Sequence, residues 1–346
     1  PIFFHHVLRA VDRGARLYVV DPRRSETAAF ADRWLGLEVG TDIALANTIA
    51  REILHAGLVH HDFVTRATTG FDEFAASVED WTLERGSAVT GVPADDIREL
   101  AHAYAGAGAA QLCWTLGITE HHNGVDNVLS LCNLALLTGQ VGRYGAGLSP
   151  LRGQNNVQGG GDMGALPDKL PGFQDVADAG ARSRFEREWS APVPPRKGWH
   201  LTQMFDAMER GDLRSVLVIG ENPARSEADV SRAVRLLEGL DHLVVLDIHL
   251  TRTAELADVV LPGSASWCES DGTVTNSERR VQRVRKSLDP PGDARDDIDI
   301  LLDLADRLGH RWHYDSHEAI WDEVRRLSPM HAGMSWRRLD DLGGIQ

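Results

Sequence analysis

Arg152 opens the stretch RGQNNVQGGGD, in which a guanidinium is followed by four side-chain amides, Gln154, Asn155, Asn156 and Gln158, and then by three consecutive glycines. A guanidinium is a rigid fork that forms two parallel charge-assisted hydrogen bonds to an oxyanion. Side-chain amides donate and accept without carrying charge. Glycines let the backbone approach a ligand closely. The plain alternative for Arg152 is a structural ion pair with a neighbouring acid.

Other polar residues with chemical capacity sit at the ends of apolar runs. Asp21 and Arg23 follow ARLYVV. The acid accepts from ribose or guanine donors, and the arginine stacks on a base or pairs with phosphate. A solvated turn is the plain alternative for both. In VGTDIALANTIAREIL, Gly40, Thr41 and Asp42 stand directly before a helical pattern. That helix start either holds an anion on its free N–H groups or is capped by Asp42. Further along, VLVIGENP carries Glu221 and Asn222, and DHLVVLDIHL carries Asp247. His121 and His122 are adjacent, point in different directions and have no partner motif, so they read as loop residues and not as metal ligands.

Alternating helices and strands must position these groups. PIFFHHVLRAVDRG has helical spacing and a stop at Gly14, and ARLYVVD then reads as a buried parallel strand. A helix feeding a strand that ends in an acid is the second half of a dinucleotide-binding unit. The expectation is a chain that begins inside a domain, its first strand and glycine turn missing. Ser25 and Glu26 open the next helix, and residues 70–106 hold helical segments, among them PADDIRELAHAYAGAG with an acidic start. QLCWTLGITEHHNG reads as a strand running into a polar loop, and VDNVLSLCNLALLTGQVG as a buried helix ending near Gly139.

The pattern repeats beyond the amide-rich stretch. TQMFDAMERGDLRSVLVIGENP is helix, turn, strand and polar loop, DVSRAVRLLEGL is a helix, and DHLVVLDIHLTRTAELADVVLP gives two strands around a short helix. Two α/β halves with recognition residues at equivalent strand ends suggest two nucleotide-like ligands, or one large ligand with two such arms. Past Pro262 the sequence turns to short alternating runs, a β-rich excursion, and DDIDILLDLADRLG returns to a helix with Asp296 and Asp297 at its start. The tail HAGMSWRRLDDLGGIQ shows no closing element, and a further domain is expected downstream.

Composition bounds these readings. The chain has 346 residues, enough for two α/β domains, with 42% apolar and 25% charged residues, close to globular averages. A formal net charge of −15 argues against a nucleic-acid surface. No apolar run is long enough to span a membrane and no secretory leader opens the sequence. The pair Arg23-Arg24 is interior and follows a strand, so it is no export signal. The three cysteines, Cys113, Cys132 and Cys268, lack cluster or zinc spacing and read as reduced thiols buried in cores, which suits the cytoplasm.

The run LRGQNNVQGGGDMGALPDKLPGFQ, with LTGQVGRYGAGLSP before it, closely resembles the catalytic subunit of molybdenum- or tungsten-dependent formate dehydrogenases, of the dimethyl-sulfoxide-reductase type of molybdopterin oxidoreductase. DPRRSETA, GTDIALAN, WTLGITEH, GENP and ELADVVLPGSASWCESDGTVTNSERRVQ occur in the order of that family across nearly the whole chain. The resemblance implies an α/β fold of two doubly wound, dinucleotide-binding-like domains with a small β-rich excursion. It assigns residues 1–154 to one pterin-binding domain and 155–266 to a second, to which 295–317 return. Residues 267–294 and 318–346 then belong to a small domain that carries a 4Fe-4S cluster in the intact protein.

The resemblance further implies a metal held by two molybdopterin guanine dinucleotides. Asp21, Arg23, Gly40 and Asp42 would hold one arm, with Leu116, Gly117 and Glu120 lining its approach; Glu120 departs from the glutamine often found there. Gly220, Asn222, Ser226, Leu246, Asp247 and Asp297 would hold the other arm. Arg152 would clamp formate, and Gln154 with the following amides would face the pterin pyrophosphate. The net reaction is formate to carbon dioxide, with electrons leaving through the iron–sulfur cluster to an electron-accepting subunit. The metal's cysteine or selenocysteine ligand, the iron–sulfur domain and a C-terminal β-barrel are expected outside this chain, which alone is expected to be inactive.

The rival readings are an assimilatory nitrate reductase, a pterin-free scaffold like the large iron–sulfur subunit of respiratory complex I, and a nicotinamide dehydrogenase. RGQNNVQG favours formate, the intact motifs at Asp21, Asn222 and Arg152 disfavour the scaffold, and the lack of GxGxxG after a strand disfavours the nicotinamide enzyme.

Overall fold

A computed structural model describes residues 2–266 and 268–346. Pro1 and Trp267, the latter inside the SWCESDG stretch, lie outside the described residues. The chain divides into two compact units, Pro1–Gly153 and Gln154–Gln346.

The first unit is mainly helical, with two parallel strand pairs. Strand β1 (Tyr18–Val20) pairs with β2 (Arg33–Leu35). Strand β3 (Gln111–Trp114) pairs with β4 (Gly147–Pro150). The helix Asp42–His55 organises the core, because Leu45, Ile49 and Ile53 recur every four residues and form one apolar stripe. Against it pack Leu35, Leu37, Val78, Ile97 and Leu134. Each such aliphatic side chain contributes about 1.5–3 kcal/mol when fully buried. Ile53 and Ile97 are fully enclosed, so truncating either opens a cavity in the centre of this unit.

Several expectations for this unit need correcting. Strand β1 is not buried: among the described residues it pairs with β2 alone, and Val20 is 41% exposed. The helix Gly124–Leu137 buries Leu134, Ala135 and Leu137 but exposes Val125 and Leu129, so it has a solvent face. The loop after β3 contains a helical turn, Leu116–Thr119, closed by the Glu120 N–H donating to the Leu116 carbonyl at 2.9 Å. The cysteines are not core residues: Cys113 is exposed on β3, and Cys132 and Cys268 are half-buried. Strand alternation on a two-stranded edge turns Cys113 outward.

In the second unit, hairpin strands β5 (Lys169–Leu170) and β6 (Gln174–Asp175) precede the three-stranded parallel sheet β7 (Ser215–Ile219), β8 (His242–Asp247) and β9 (Val259–Pro262), in that order. Register runs Ile219↔Leu246 and Leu246↔Leu261, so the three carboxyl ends lie level. The helix Val230–Glu238 starts where Asp229 Oδ1 accepts the Arg232 N–H, and it buries Leu237 against Val218, Leu243 and Val245.

The β-rich excursion is one antiparallel hairpin, β10 (Gly272–Thr275) with β11 (Val281–Val284). The tail, expected to hold no recognisable element, carries a packed helix. Ser335 caps a helix, Trp336–Leu342, that buries Leu339 beside Val281 and Trp321, and Ile345 exchanges backbone hydrogen bonds with Val281 at 2.8 and 3.0 Å. Its short apolar content hid an element whose partners are far away in sequence. The expected α/β class holds, built on small sheets. No helix among the described residues is long and apolar enough to cross a membrane.

Candidate functional site

Parallel strands send their following loops to one edge, and a ligand of an open α/β sheet binds there. In the second unit, β7 runs into Gly220, Glu221 and Asn222, β8 ends on Asp247, and β9 runs into Gly263 and Ser264. The Gly220 N–H donates to the Leu246 carbonyl at 2.9 Å, which joins the first two loops. Ser264 N–H donates to Asp297 Oδ1 at 3.0 Å, bringing the start of the helix Asp297–Arg307 to the same edge.

The side chains here are partly committed. Asn222 Oδ1 accepts from Thr253 N–H and Oγ1 at 3.1 and 2.8 Å, leaving the Asn222 amide N–H groups without a partner among the described residues. Asp247 Oδ1 accepts from the Ile248 and His249 N–H groups at 2.7 and 3.2 Å. Ser226, exposed, turns its hydroxyl to Glu221 Oε2 and the Asn222 carbonyl at 3.3 and 3.2 Å. Leu246 is 2% exposed, its side chain packed away from solvent at the end of β8.

Burial pushes the Asp297 carboxyl above the usual carboxylate range, the Ser264 N–H partly offsets this, and the Asp296 and Asp247 carboxylates add to the rise. Two residues at this edge were not singled out from sequence. A Cβ on Gly263 would fall 2.5 Å from Leu246 Cδ2 and 2.6 Å from Asp297 Oδ1, so only glycine fits. Ser264 is 5% exposed and its Oγ has no hydrogen-bond partner among the described residues. The strand-end pattern that pointed to Glu221 and Asn222 after VLVIG also holds for Gly263 and Ser264 after VVLP.

In the first unit the sequence-selected residues fall into two groups. Asp21 follows β1, its Oδ1 accepting the Arg23 N–H at 2.8 Å and its carbonyl accepting from Trp34 Nε1 at 2.8 Å. The Arg23 side chain is exposed and has no partner among the described residues. Gly40 (φ +85°) precedes the helix Asp42–His55, where Thr41 occupies the cap position without a side-chain capping bond. Asp42 is the first helical residue and makes no side-chain hydrogen bond among the described residues. Capping by Asp42 is therefore not what this start uses.

The second group gathers at the carboxyl ends of β3 and β4. Trp114 is in register with Pro150, and the Leu151 N–H donates to the Trp114 carbonyl at 2.7 Å. This sets Arg152 beside the turn carrying Leu116 and Gly117, with Glu120 exposed at its end. Arg152 is exposed and makes no ion pair or hydrogen bond among the described residues, which removes the structural ion-pair alternative within them. His121 Nε2 contacts the Gly117 carbonyl at 2.9 Å, and among the described residues no group of three or more His, Cys, Asp or Glu is placed to hold a metal.

The four amides do not act alike. Gln154 and Asn155 are exposed and unpartnered among the described residues. Asn156 Oδ1 accepts from Thr275 N–H at 2.9 Å, and Gln158 Nε2 donates to Asp162 Oδ1 at 2.8 Å. The expectation that all four face a ligand is corrected: two fasten the chain. Gly159 is buried and serves packing, not ligand approach.

Comparison with known proteins adds the following. The profile of the family described as molybdopterin oxidoreductase matches residues 1–307. The F420-dependent formate dehydrogenase subunit alpha of Methanocaldococcus jannaschii is 41% identical over 341 residues, covering 98% of this chain and 50% of that protein. Formate dehydrogenase H of Escherichia coli is 40% identical over 347 residues, covering 100% of this chain and 48% of that protein. Among solved structures, acetylene hydratase from Pelobacter acetylenicus superposes with a TM-score of 0.75 at 24% identity, over 98% of this chain and 49% of that one, which shows a shared fold. The chain spans about half the length of the curated relatives it matches.

Proposed function

The chain belongs to the molybdopterin oxidoreductase family, and from that premise we propose that it is the pterin-binding part of a formate dehydrogenase catalytic subunit. The observation that carries the substrate assignment is Arg152. Its guanidinium stands exposed, without a partner among the described residues, at the carboxyl edge of β3 and β4, inside RGQNNVQG. A carboxylate as small as formate offers two oxygens to that fork and nothing else to grip. Pairing both oxygens leaves the C–H bond as the free end of the substrate, so Arg152 works chiefly by orientation.

The residues fit the nucleotide arms of a molybdopterin guanine dinucleotide. At the edge of β7, β8 and β9 the groups open to a ligand are Asp297, Asp247 and the Asn222 amide, while the Ser264 hydroxyl is buried and has no partner among the described residues. Two of these are carboxylates, so the edge suits the N–H and O–H groups of a base and ribose better than a phosphate. Gly263, with no Cβ, lets Asp297 pack closely against its backbone. In the first unit, Asp21 suits a donor and Arg23 a phosphate or the face of a base, with the uncapped start of the helix Asp42–His55 beside Gly40. When bound, the pterin-held molybdenum or tungsten supplies the acceptor for the two electrons of formate oxidation.

The same proposal gives the exposed amides of Gln154 and Asn155 the polar edge of the pterin. It places 267–294 and 318–346 in a subdomain beside a 4Fe-4S cluster whose ligands come from other residues, and assigns an electron-accepting partner subunit. A cytoplasmic setting fits the three free thiols. The test is dye reduction by the metal-loaded enzyme. Formate is expected to reduce a viologen dye at a rate proportional to metal content, and nitrate is expected to give no oxidation of the reduced dye. Nitrate turnover without formate turnover would reject the reading.

A further inference from the structure

Residues 154–162 form a strap in the second unit that is held from two directions. Asn156 has a left-handed backbone (φ +62°), a conformation that asparagine, aspartate and glycine adopt more readily than other residues. Its Oδ1 accepts the N–H of Thr275, the last residue of β10, at 2.9 Å. Three residues on, a Cβ added to Gly159 would lie 1.9 Å from that same oxygen, so the bond and the glycine require each other.

The far end of the strap is fixed by a buried polar chain. Gln158 Nε2 donates to Asp162 Oδ1, Asp162 is 7% exposed, and its carbonyl accepts the Gly172 N–H at 2.7 Å. The Asp162 carboxylate acts through space on His331, a buried imidazole whose Nδ1 lies 2.7 Å from the buried Ser328 hydroxyl. At the near end nothing comparable exists. No backbone or side-chain hydrogen bond among the described residues ties Gly153, Gln154 or Asn155. The nearest tie to the two amides is Asn156, one residue further on: its carbonyl accepts the Gly160 N–H at 2.9 Å within the strap, and its side chain makes the bond that joins the strap to the hairpin.

We propose that Asn156 is a positioning residue: by fastening the strap to the hairpin of β10 and β11 it aims the Gln154 and Asn155 amides at the ligand of this site. The inference rests on the functional reading above for what that ligand is, and its test reads the fastening itself. Asn156→Gly keeps the left-handed backbone and deletes the acceptor. Asn156→Asp keeps both. Hydrogen–deuterium exchange on the holoenzyme is expected to speed up by about tenfold in peptides carrying the Thr275 N–H in Asn156→Gly, the scale of one lost hydrogen bond, and to stay near that of the unaltered enzyme in Asn156→Asp.

In the same preparations Asn156→Gly should lose about tenfold in formate kcat, with KM and metal content near those of the unaltered enzyme, because orientation is lost and not binding. Asn156→Asp should retain kcat. Gly159→Ala should reproduce the exchange and kcat changes on its own and add nothing in the Asn156→Gly background, where its Cβ meets no amide. Unchanged exchange in Asn156→Gly, faster exchange with unchanged kcat, or an Asn156→Asp enzyme as impaired as Asn156→Gly would each overturn the proposal. An unaltered enzyme without formate turnover would strike the functional reading instead, since the exchange measurement does not depend on turnover.

Discussion

Replacing Arg152 with alanine in the metal-loaded enzyme is expected to lower formate kcat/KM by about 10³-fold, or roughly 4 kcal/mol of transition-state stabilisation. The size follows from how little formate offers. With both oxygens released, neither charge neutralisation nor orientation remains, and orientation alone is a large part of such a barrier. Arg152→Lys separates the two contributions. The ammonium keeps the charge but not the planar fork, so KM should rise and kcat should fall, with an intermediate loss of about 10–10² in kcat/KM. Metal and pterin content should not change, because the side chain has no partner among the described residues whose loss would loosen the fold. Steady-state kinetics with metal analysis checks this, and an unchanged kcat/KM in Arg152→Ala removes Arg152 from the active site.

The second large effect is expected at Asp297, where function and stability oppose one another. Without ligand, its carboxyl is raised by burial and by the Asp296 and Asp247 carboxylates. A raised carboxyl contributes stability that is fully present below its unfolded pKa and lost as pH rises through the folded value. Above its folded pKa the ionised group is therefore a liability that Asp297→Asn removes. An asparagine oxygen can still accept the Ser264 N–H, which in the native chain reaches Asp297 Oδ1 at 3.0 Å.

The ligand-free Asp297→Asn protein should thus melt at a higher temperature than the unaltered protein at pH above that folded pKa, and the gap should close as pH falls below the carboxylate range. The holoenzyme should behave oppositely. Exchanging a charged acceptor for a neutral amide costs a hydrogen bond to a charged group, about 1.5–3 kcal/mol, or on the order of 10–10² in nucleotide-arm affinity. Melting curves across pH and metal content of the purified variant check the two halves. A variant that melts lower without ligand and fills normally with metal would contradict both.

The residues that were legible from sequence are those whose signal is local. Ser25 and Glu26 start the short helix Glu26–Ala29, and the runs VLVI, LVVLD and VVLP are the three parallel strands they resemble. Asn222 and Asp247 stood out because a strand end in an α/β unit is a defined place in the chain. What was hidden depends on partners far away. The Asn156 amide fastens the strap only because Thr275 lies beside it, 119 residues on. Gly263 is required because Leu246 and Asp297 close in from two other segments. Cys113 looked like a core residue because free thiols usually are, but a two-stranded pair has an outer face.

The tail shows the same limit. WRRLDDL is only about two turns of helix, and it is stable because Leu339 finds Val281 and Trp321 elsewhere in the chain. Short helices gain little from propensity and much from such packing.

The most direct measurement is the nucleotide content of the purified, metal-loaded enzyme after acid release of its cofactor. If each unit's strand edge grips one arm, two guanine nucleotides should be recovered per molybdenum or tungsten atom, and a double exchange of Asn222 and Asp297 for alanine should lower nucleotide and metal together. One guanine nucleotide per metal atom, or a pterin released with no nucleotide attached, would contradict the account.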